Sequence, residues 1–152
     1  MALRIYADTS VIGGYEDEEF LDASRRLIRS FAAGEFIMVL SELTLRELDQ
    51  APSSLRAVLA TIPEAFVEIL SLTDDAHDLA SAYIEGGVLP ESKRADALHI
   101  AIATLGRVDV LVSWNFRDMV NLHRIHGYNS VNLRRGYPML EIRSPVEVLH
   151  VE

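Results

Sequence analysis

Short apolar runs recur along this chain with helical stretches between them, and that alternation constrains the fold more than any other feature. Leu3–Ala7, Phe36–Leu40, Phe66–Leu70 and Asp109–Ser113 are each five residues long and rich in branched or aromatic side chains. The clearest, in Val-Asp-Val-Leu-Val-Ser, is apolar without alternation, as strands buried on both faces are. Helical patterns are expected at about Asp22–Ala33, stopped by Gly34, and from Glu42 onward with Ser41 as the cap. Others run from Pro52 towards Thr61, over Asp74–Glu85 ahead of Gly86-Gly87, from a Ser92 cap to about Leu105, and from about Phe116 to His126. A last short strand is expected near Ser130–Leu133. Strands separated by helices at this spacing predict an α/β fold with a parallel sheet covered on both faces, whose functional groups gather at the carboxyl ends of the strands.

The 152 residues suffice for one domain spanning 1–152, since a chain of about this length buries roughly two-thirds of its unfolded surface. No cysteine is present, which excludes disulfide frameworks, zinc–thiolate sites and cysteine nucleophiles. The first segment reaches Asp8 before any long apolar stretch, so neither a signal peptide nor a membrane span is expected and the cytoplasm is favoured. A net charge of −9 argues against a loose, sequence-indifferent nucleic-acid binder. The charge is uneven, at −11 over residues 1–91 and +2 over residues 92–152. Thirteen of the fourteen cations are arginine, whose planar fork suits phosphate, although a genomic composition bias accounts equally for the count. The run Glu16-Asp17-Glu18-Glu19 reads as a solvated loop or helix start.

Four acids stand where a surface reading does not suffice. Asp8 closes the first strand, where it either serves a site or caps the next helix. On a helix at about 100° per residue, Glu42, Arg46, Asp49 and Gln50 share a wet arc and Leu43, Leu45, Leu48 and Ala51 the opposite one. Glu47 falls among the latter, and a buried carboxylate costs several kcal/mol unless compensated, so it calls for a cation or an internal arginine partner. Asp96 opens a helix that is apolar nearly all round, on the side of His99 and Ala103, and with Ser92 available as the cap it is expected inside the fold. Asp118 follows the strongest strand together with Ser113 and Asn115, where capping is an equally good use for Asn115. Carboxylates gathered from several strand ends, without cysteine or a histidine trio, point to Mg²⁺ or Mn²⁺. His123 and His126 are i,i+3 on a helix and read as surface residues, while His77, His99 and His150 show no ligand spacing.

Ile5-Tyr-Ala-Asp-Thr-Ser10, Ser41-Glu-Leu-Thr-Leu-Arg-Glu47-Leu, Asp96-Ala-Leu-His-Ile-Ala-Ile-Ala103 and Leu111-Val-Ser-Trp-Asn-Phe-Arg-Asp118, in this order, resemble the PIN-domain ribonucleases, and within them the VapC-type toxins of toxin–antitoxin pairs. The resemblance implies a PIN-like α/β/α sandwich around a parallel sheet of about five strands. It matches Asp8, Glu47 and Asp96 to the family's metal-binding acids, with the fourth position at Asn115 or Asp118, and Thr9, Ser10 and Ser113 to polar positions lining the site. It further implies an RNA substrate, an antitoxin partner whose segment covers the site, and a homodimer. The tail, Val131-Asn-Leu-Arg-Arg-Gly-Tyr-Pro138 and Glu141-Ile-Arg-Ser-Pro-Val-Glu-Val148, resembles an extension of one PIN subgroup from about residue 130 to 152.

The expected activity is therefore metal-dependent hydrolysis of RNA phosphodiesters by an endoribonuclease, with Asp8, Glu47, Asp96 and Asp118 holding Mg²⁺ or Mn²⁺. Arg94, Arg117, Arg134 and Arg135, with Arg124 and Arg143, are candidates for backbone phosphates or for ion pairs with the acidic first half. The alternatives are RNA processing outside a toxin–antitoxin pair and a binding module with little turnover, which Asn115 favours. A phosphatase with Asp8 as nucleophile would want an acid where Ser10 stands, and no Gly-x-Gly-x-x-Gly follows the first strand for a dinucleotide.

Overall fold

The computed structural model describes residues 2–149. Strand β1 (Leu3–Ala7) leads through α1 (Thr9–Gly13) and a single 3₁₀ turn to α2 (Leu21–Ala32) and β2 (Phe36–Ser41). Helices α3 (Glu42–Asp49) and α4 (Ser53–Leu59) precede β3 (Val67–Leu70), and α5 (Asp74–Glu85) and α6 (Arg94–Leu105) precede β4 (Val110–Val112). Helix α7 (Leu122–Arg134), β5 (Ile142–Arg143) and α8 (Pro145–Leu149) complete the order. The five strands form one all-parallel sheet, β3-β2-β1-β4-β5, with Ile5 opposite Met38 on one side and Val110 on the other. The α/β expectation and its five strands hold.

The inner strands β1, β2 and β4 are buried on both faces over most of their length because helices cover both, while edge strand β3 leaves Ile69 exposed. Tyr6, Val39, Leu111 and Ile142 point into a core with α5, α6 and α7, while Ile5, Ala7, Met38, Leu40 and Val112 point into a second core that includes α2 and α4. Helix α6 runs through the first core with every residue from Ala97 to Thr104 buried, as its all-round apolar sequence requires. Gly34 ends the turn after α2 at φ +76°, and a Cβ there would lie 2.7 Å from the Phe66 ring, so both backbone and packing demand glycine. Among the described residues no helix is long and apolar enough to cross a membrane.

The structure corrects four local expectations. The helix expected over Phe116–His126 begins at Leu122, capped by Asn121, whose side chain accepts from Arg124 N. Residues 116–120 instead form a turn under Asn115, whose Oδ1 accepts from the Arg117 and Asp118 amides. The strand expected at Ser130–Leu133 is the end of α7, where Tyr128, Val131 and Asn132 form a buried stripe at helical spacing; the fifth strand is Ile142–Arg143. Ser92 does not cap α6: it lies exposed in a 3₁₀ turn, Glu91–Lys93, that feeds directly into the helix. Leu45, projected onto the inner arc of α3, is exposed, because that short helix faces the core with Thr44 and Leu48. Residues 150–152, with His150 and the end of the expected extension, lie outside the described residues; before them β5 and α8 close the sheet edge, α8 packing on α2.

Candidate active site

The sheet order reverses direction at β1, with β2 on one side and β4 on the other, so the crevice between the ends of β1 and β4 is where an open α/β sheet places its site. Asp8 stands there, 6% exposed. It occupies the N-cap position of α1 but makes no capping hydrogen bond with its side chain, which leaves its carboxylate free of that role. Oδ2 instead accepts from Ser113 Oγ at 2.7 Å and Ser10 Oγ at 3.0 Å. Those hydroxyls are themselves fixed, since Ser10 Oγ accepts from the Trp114 amide and Ser113 Oγ from the Asn115 amide. Two strand ends thereby hold one carboxylate in one orientation.

Helix α3 follows β2 directly because Ser41 and Thr44 form a reciprocal capping box. It brings Glu47 half-buried to the same rim. Its partner is not an arginine but His99 of α6, with Nε2 2.7 Å from Oε1, while Thr9 Oγ1 donates to the same oxygen at 2.5 Å. His99 is 1% exposed, and its Nδ1 lies 2.7 Å from Tyr6 Oη, which in turn meets Ser41 Oγ at 2.7 Å. Burial alone would raise the Glu47 pKa, but the hydrogen bond and charge of His99 and the Thr9 hydroxyl outweigh it and hold the carboxyl below its ordinary value. Burial alone would lower the His99 pKa, yet the bond to Glu47 and the charges of Asp8, Glu47 and Asp96 raise it above the ordinary histidine value. Both shifts favour the charged pair. Burial holds the Tyr6 hydroxyl protonated, well above the usual phenol range.

Asp96, in the first turn of α6, is half-buried, and burial followed by the charges of Asp8 and Asp118 pushes its carboxyl up to about 6. Asn115 Nδ2 lies 3.5 Å from Asp96 Oδ2, too long to hold it firmly. Asp118 is 2% exposed between two cations, Lys93 Nζ at 3.6 Å and Arg124 at 3.7 Å. Among the described residues, no three His, Asp or Glu side chains converge as a ready ligand group. The donor set nevertheless fits a hard divalent cation: oxygens only, with Asp96 destabilised as an anion by two neighbouring carboxylates, a repulsion that such a cation relieves. Among the described residues Asp96 is the one of these four acids with no cationic side chain in contact: His99 stands 2.7 Å from Glu47 and 3.9 Å from Asp8, and Asp118 has both Lys93 and Arg124.

No protein-family model matches the sequence, and no curated protein matches it. Solved structures do. VapBC2 from Rickettsia felis, crystallised bound to a DNA fragment from its promoter, is similar at a TM-score of 0.57 and 14% identity, over 93% of this chain and 98% of that one. VapC20 from Mycobacterium tuberculosis, a Sarcin-Ricin loop cleaving toxin, is similar at a TM-score of 0.52 and 18% identity, over 74% of this chain and 91% of that one. The chain has a VapC-like PIN fold.

Around the PIN-fold rim the cations are unequal. Lys93 and Arg124 face Asp118, and Arg124 also donates to the Val88 carbonyl. Arg94 forks onto Glu91 at 2.5 and 2.8 Å and reaches Ser81, while Arg117 is exposed in the turn after β4. Arg134 and Arg135 line a cavity with Glu85 that shares no residue with the carboxylate rim, and Arg143 pairs with Glu141 and Glu147. His77, His123 and His126 are exposed. The residues that sequence spacing does not single out are His99, Tyr6 and Lys93. The available signal for His99 was its place one turn after Asp96 on a helix with no wet face.

Proposed function

We propose that this chain is a metal-dependent endoribonuclease and the toxin of a toxin–antitoxin pair, acting in the cytoplasm. The observation that carries the reading is the gathering of Asp8, Asp96 and Asp118 near the β1/β4 crevice, where burial and then the charges of Asp8 and Asp118 push Asp96 up to about 6, in a fold shared with a toxin that cleaves the Sarcin-Ricin loop. Asp8 and Asp96 would hold Mg²⁺ or Mn²⁺, with Glu47 and Asp118 at its edge. Such an ion supplies Lewis acidity, lowering the pKa of the attacking water and offsetting charge on the leaving oxygen. Ser10 and Ser113 fix the direction of Asp8, and His99 with Thr9 fixes Glu47. Lys93 and Arg124, which touch Asp118, with Arg94 and the exposed Arg117, would be the cations offered to the RNA backbone. An antitoxin segment would cover the same rim, with an arginine suited to its carboxylates.

Replacing Asp96 with Asn removes the charge and keeps the shape. The folded variant should cleave RNA on the order of 100-fold more slowly than wild type in Mg²⁺ or Mn²⁺. Cleavage at the wild-type rate would sink the assignment. A second reading, a binding module with little turnover, draws on the fact that no three acidic or histidine side chains converge among the described residues. Calorimetry separates the two, because a nuclease should show Mn²⁺ heat that disappears with Asp8→Ala.

A further inference from the structure

A cavity of about 380 Å³ opens beside the carboxylates, and nothing in the hydrolytic reading uses it. Its lining includes Ser10 and Asn115, which contact Asp8 and Asp96, and Gly13, Asp17, Phe20 and Trp114. Phe20 and Trp114 stack at 4.3 Å with their planes 14° apart, and the indole N–H is spent on Ser24 Oγ at 2.8 Å. Phe116, 51% exposed, stands edge-on to Trp114 at 6.1 Å and extends the aromatic row towards solvent. The lining at Gly13 carries no side chain, and a Cβ there would meet nothing within 4 Å. The Asp17 carboxylate, exposed, and the Asn115 amide bring hydrogen-bonding groups to the rim.

We infer that this cavity is a nucleobase subsite, taking the base of a nucleotide next to the scissile phosphate. The inference rests on the RNA-hydrolase reading and names where one base goes. A flat, polar-edged ring needs an aromatic wall, open space beside it and polar groups at its edge, and all three are present. Continuity with Asp8 and Asp96 through Ser10 and Asn115 puts the base within one nucleotide of the reacting bond. An apolar protein side chain would use the wall but not the Asn115 Nδ2 donor, whose one contact, to Asp96 Oδ2, is a long 3.5 Å, nor the Asp17 carboxylate oxygen that the Glu19 amide leaves open.

Trp114 is the only tryptophan in the chain, so its emission reports on the cavity directly. The full chain carrying Asp96→Asn, which slows cleavage, is titrated in Mg²⁺ with a five-nucleotide RNA and with the same backbone lacking its bases. The RNA should change Trp114 emission and the base-free backbone should not. Adding Gly13→Leu, at a position with ordinary helical φ of −59° and ψ of −35°, fills the cavity. It should weaken RNA binding roughly tenfold or more, the size of one lost base–aromatic stack. In the otherwise wild-type chain, Gly13→Leu should leave hydrolysis of the base-free ester bis(p-nitrophenyl) phosphate unchanged. RNA that binds by anisotropy without altering emission, or that binds Gly13→Leu equally well, overturns the subsite, as does an emission change produced only by a phenylalanine-containing tripeptide. If wild type cleaves RNA while emission stays constant, the subsite fails and the nuclease reading stands. An emission change in a chain that never cleaves RNA keeps the base site and removes the nuclease.

Discussion

His99 Nε2 lies 2.7 Å from Glu47 Oε1 and 3.9 Å from Asp8 Oδ1, so one buried imidazole stands between two carboxylates, one delivered by helix α3 and the other by the end of β1. Its other nitrogen is held by Tyr6, itself tied to the capping serine of α3. His99→Ala would strand the Tyr6 hydroxyl and one face of Glu47 and leave a void in α6, at a cost of about 2–4 kcal/mol. His99→Gln, which keeps a donor and an acceptor, should lose less. Urea denaturation of the two variants checks this, and an alanine variant within about 0.5 kcal/mol of wild type would show that the network holds nothing.

The same pair sets a pH window. Because folding raises the His99 pKa, its contribution is complete below the ordinary value of 6.5 and is lost as pH rises through the raised one. Because folding lowers the Glu47 pKa, its contribution is complete above 4.5 and is lost as pH falls through the lowered one. The stability difference between wild type and His99→Gln should therefore be largest between 4.5 and 6.5 and shrink on either side. Thermal melts of both proteins across pH 3–9 test it; a constant difference would mean that the imidazole is never charged.

Asp96 works in the opposite sense. Its carboxyl binds a proton more tightly folded, at about 6, than at the ordinary 3.8, so stability falls as pH climbs through that interval and stays reduced above it. Asp96→Asn should raise the melting temperature of the metal-free protein at pH 7 and leave it nearly unchanged at pH 4. Mn²⁺ should stabilise wild type and do little for the variant. Differential scanning calorimetry with and without Mn²⁺ reads all three effects, and a variant less stable than wild type at pH 7 would contradict the repulsion assigned to Asp8 and Asp118.

Much of this arrangement can be read from the chain because the relevant signals are local. Glu47 stands out as an acid beside Leu43 and Leu48, and the apolar circumference of α6 marks a helix through the core. What escapes is set by partners distant in sequence. His99 on an all-apolar helix looks like ordinary core until β1 brings Tyr6 against one nitrogen and α3 brings Glu47 against the other. The start of α7 is ambiguous because Asn115 and Asn121 are both good capping residues six positions apart. Both do cap: Asn115 closes a turn that seats Asp118, and Asn121 starts the helix. The pairing of Asp118 with Lys93 and Arg124 spans three separate segments and has no periodic signature.

That pairing yields a final prediction. Asp118 sits 2% exposed between Lys93 and Arg124, with its carbonyl accepting from Tyr128 Oη at 2.6 Å and its amide bound to Asn115. Its charge reaches Asp96 strongly enough to help raise that carboxyl, third after burial and Asp8. Asp118→Asn should therefore lower the Asp96 titration midpoint from about 6 towards the ordinary range. Arg124→Ala should move it the other way, because less of the Asp118 charge is then offset. Arg124→Ala should also cost about 1–3 kcal/mol, since it leaves a buried carboxylate with one cation in place of two. Carbon-13 NMR of the Asp96 carboxyl in the metal-free protein follows the midpoint, and a midpoint unmoved by either change would place Asp118 outside the electrostatic assembly of the site.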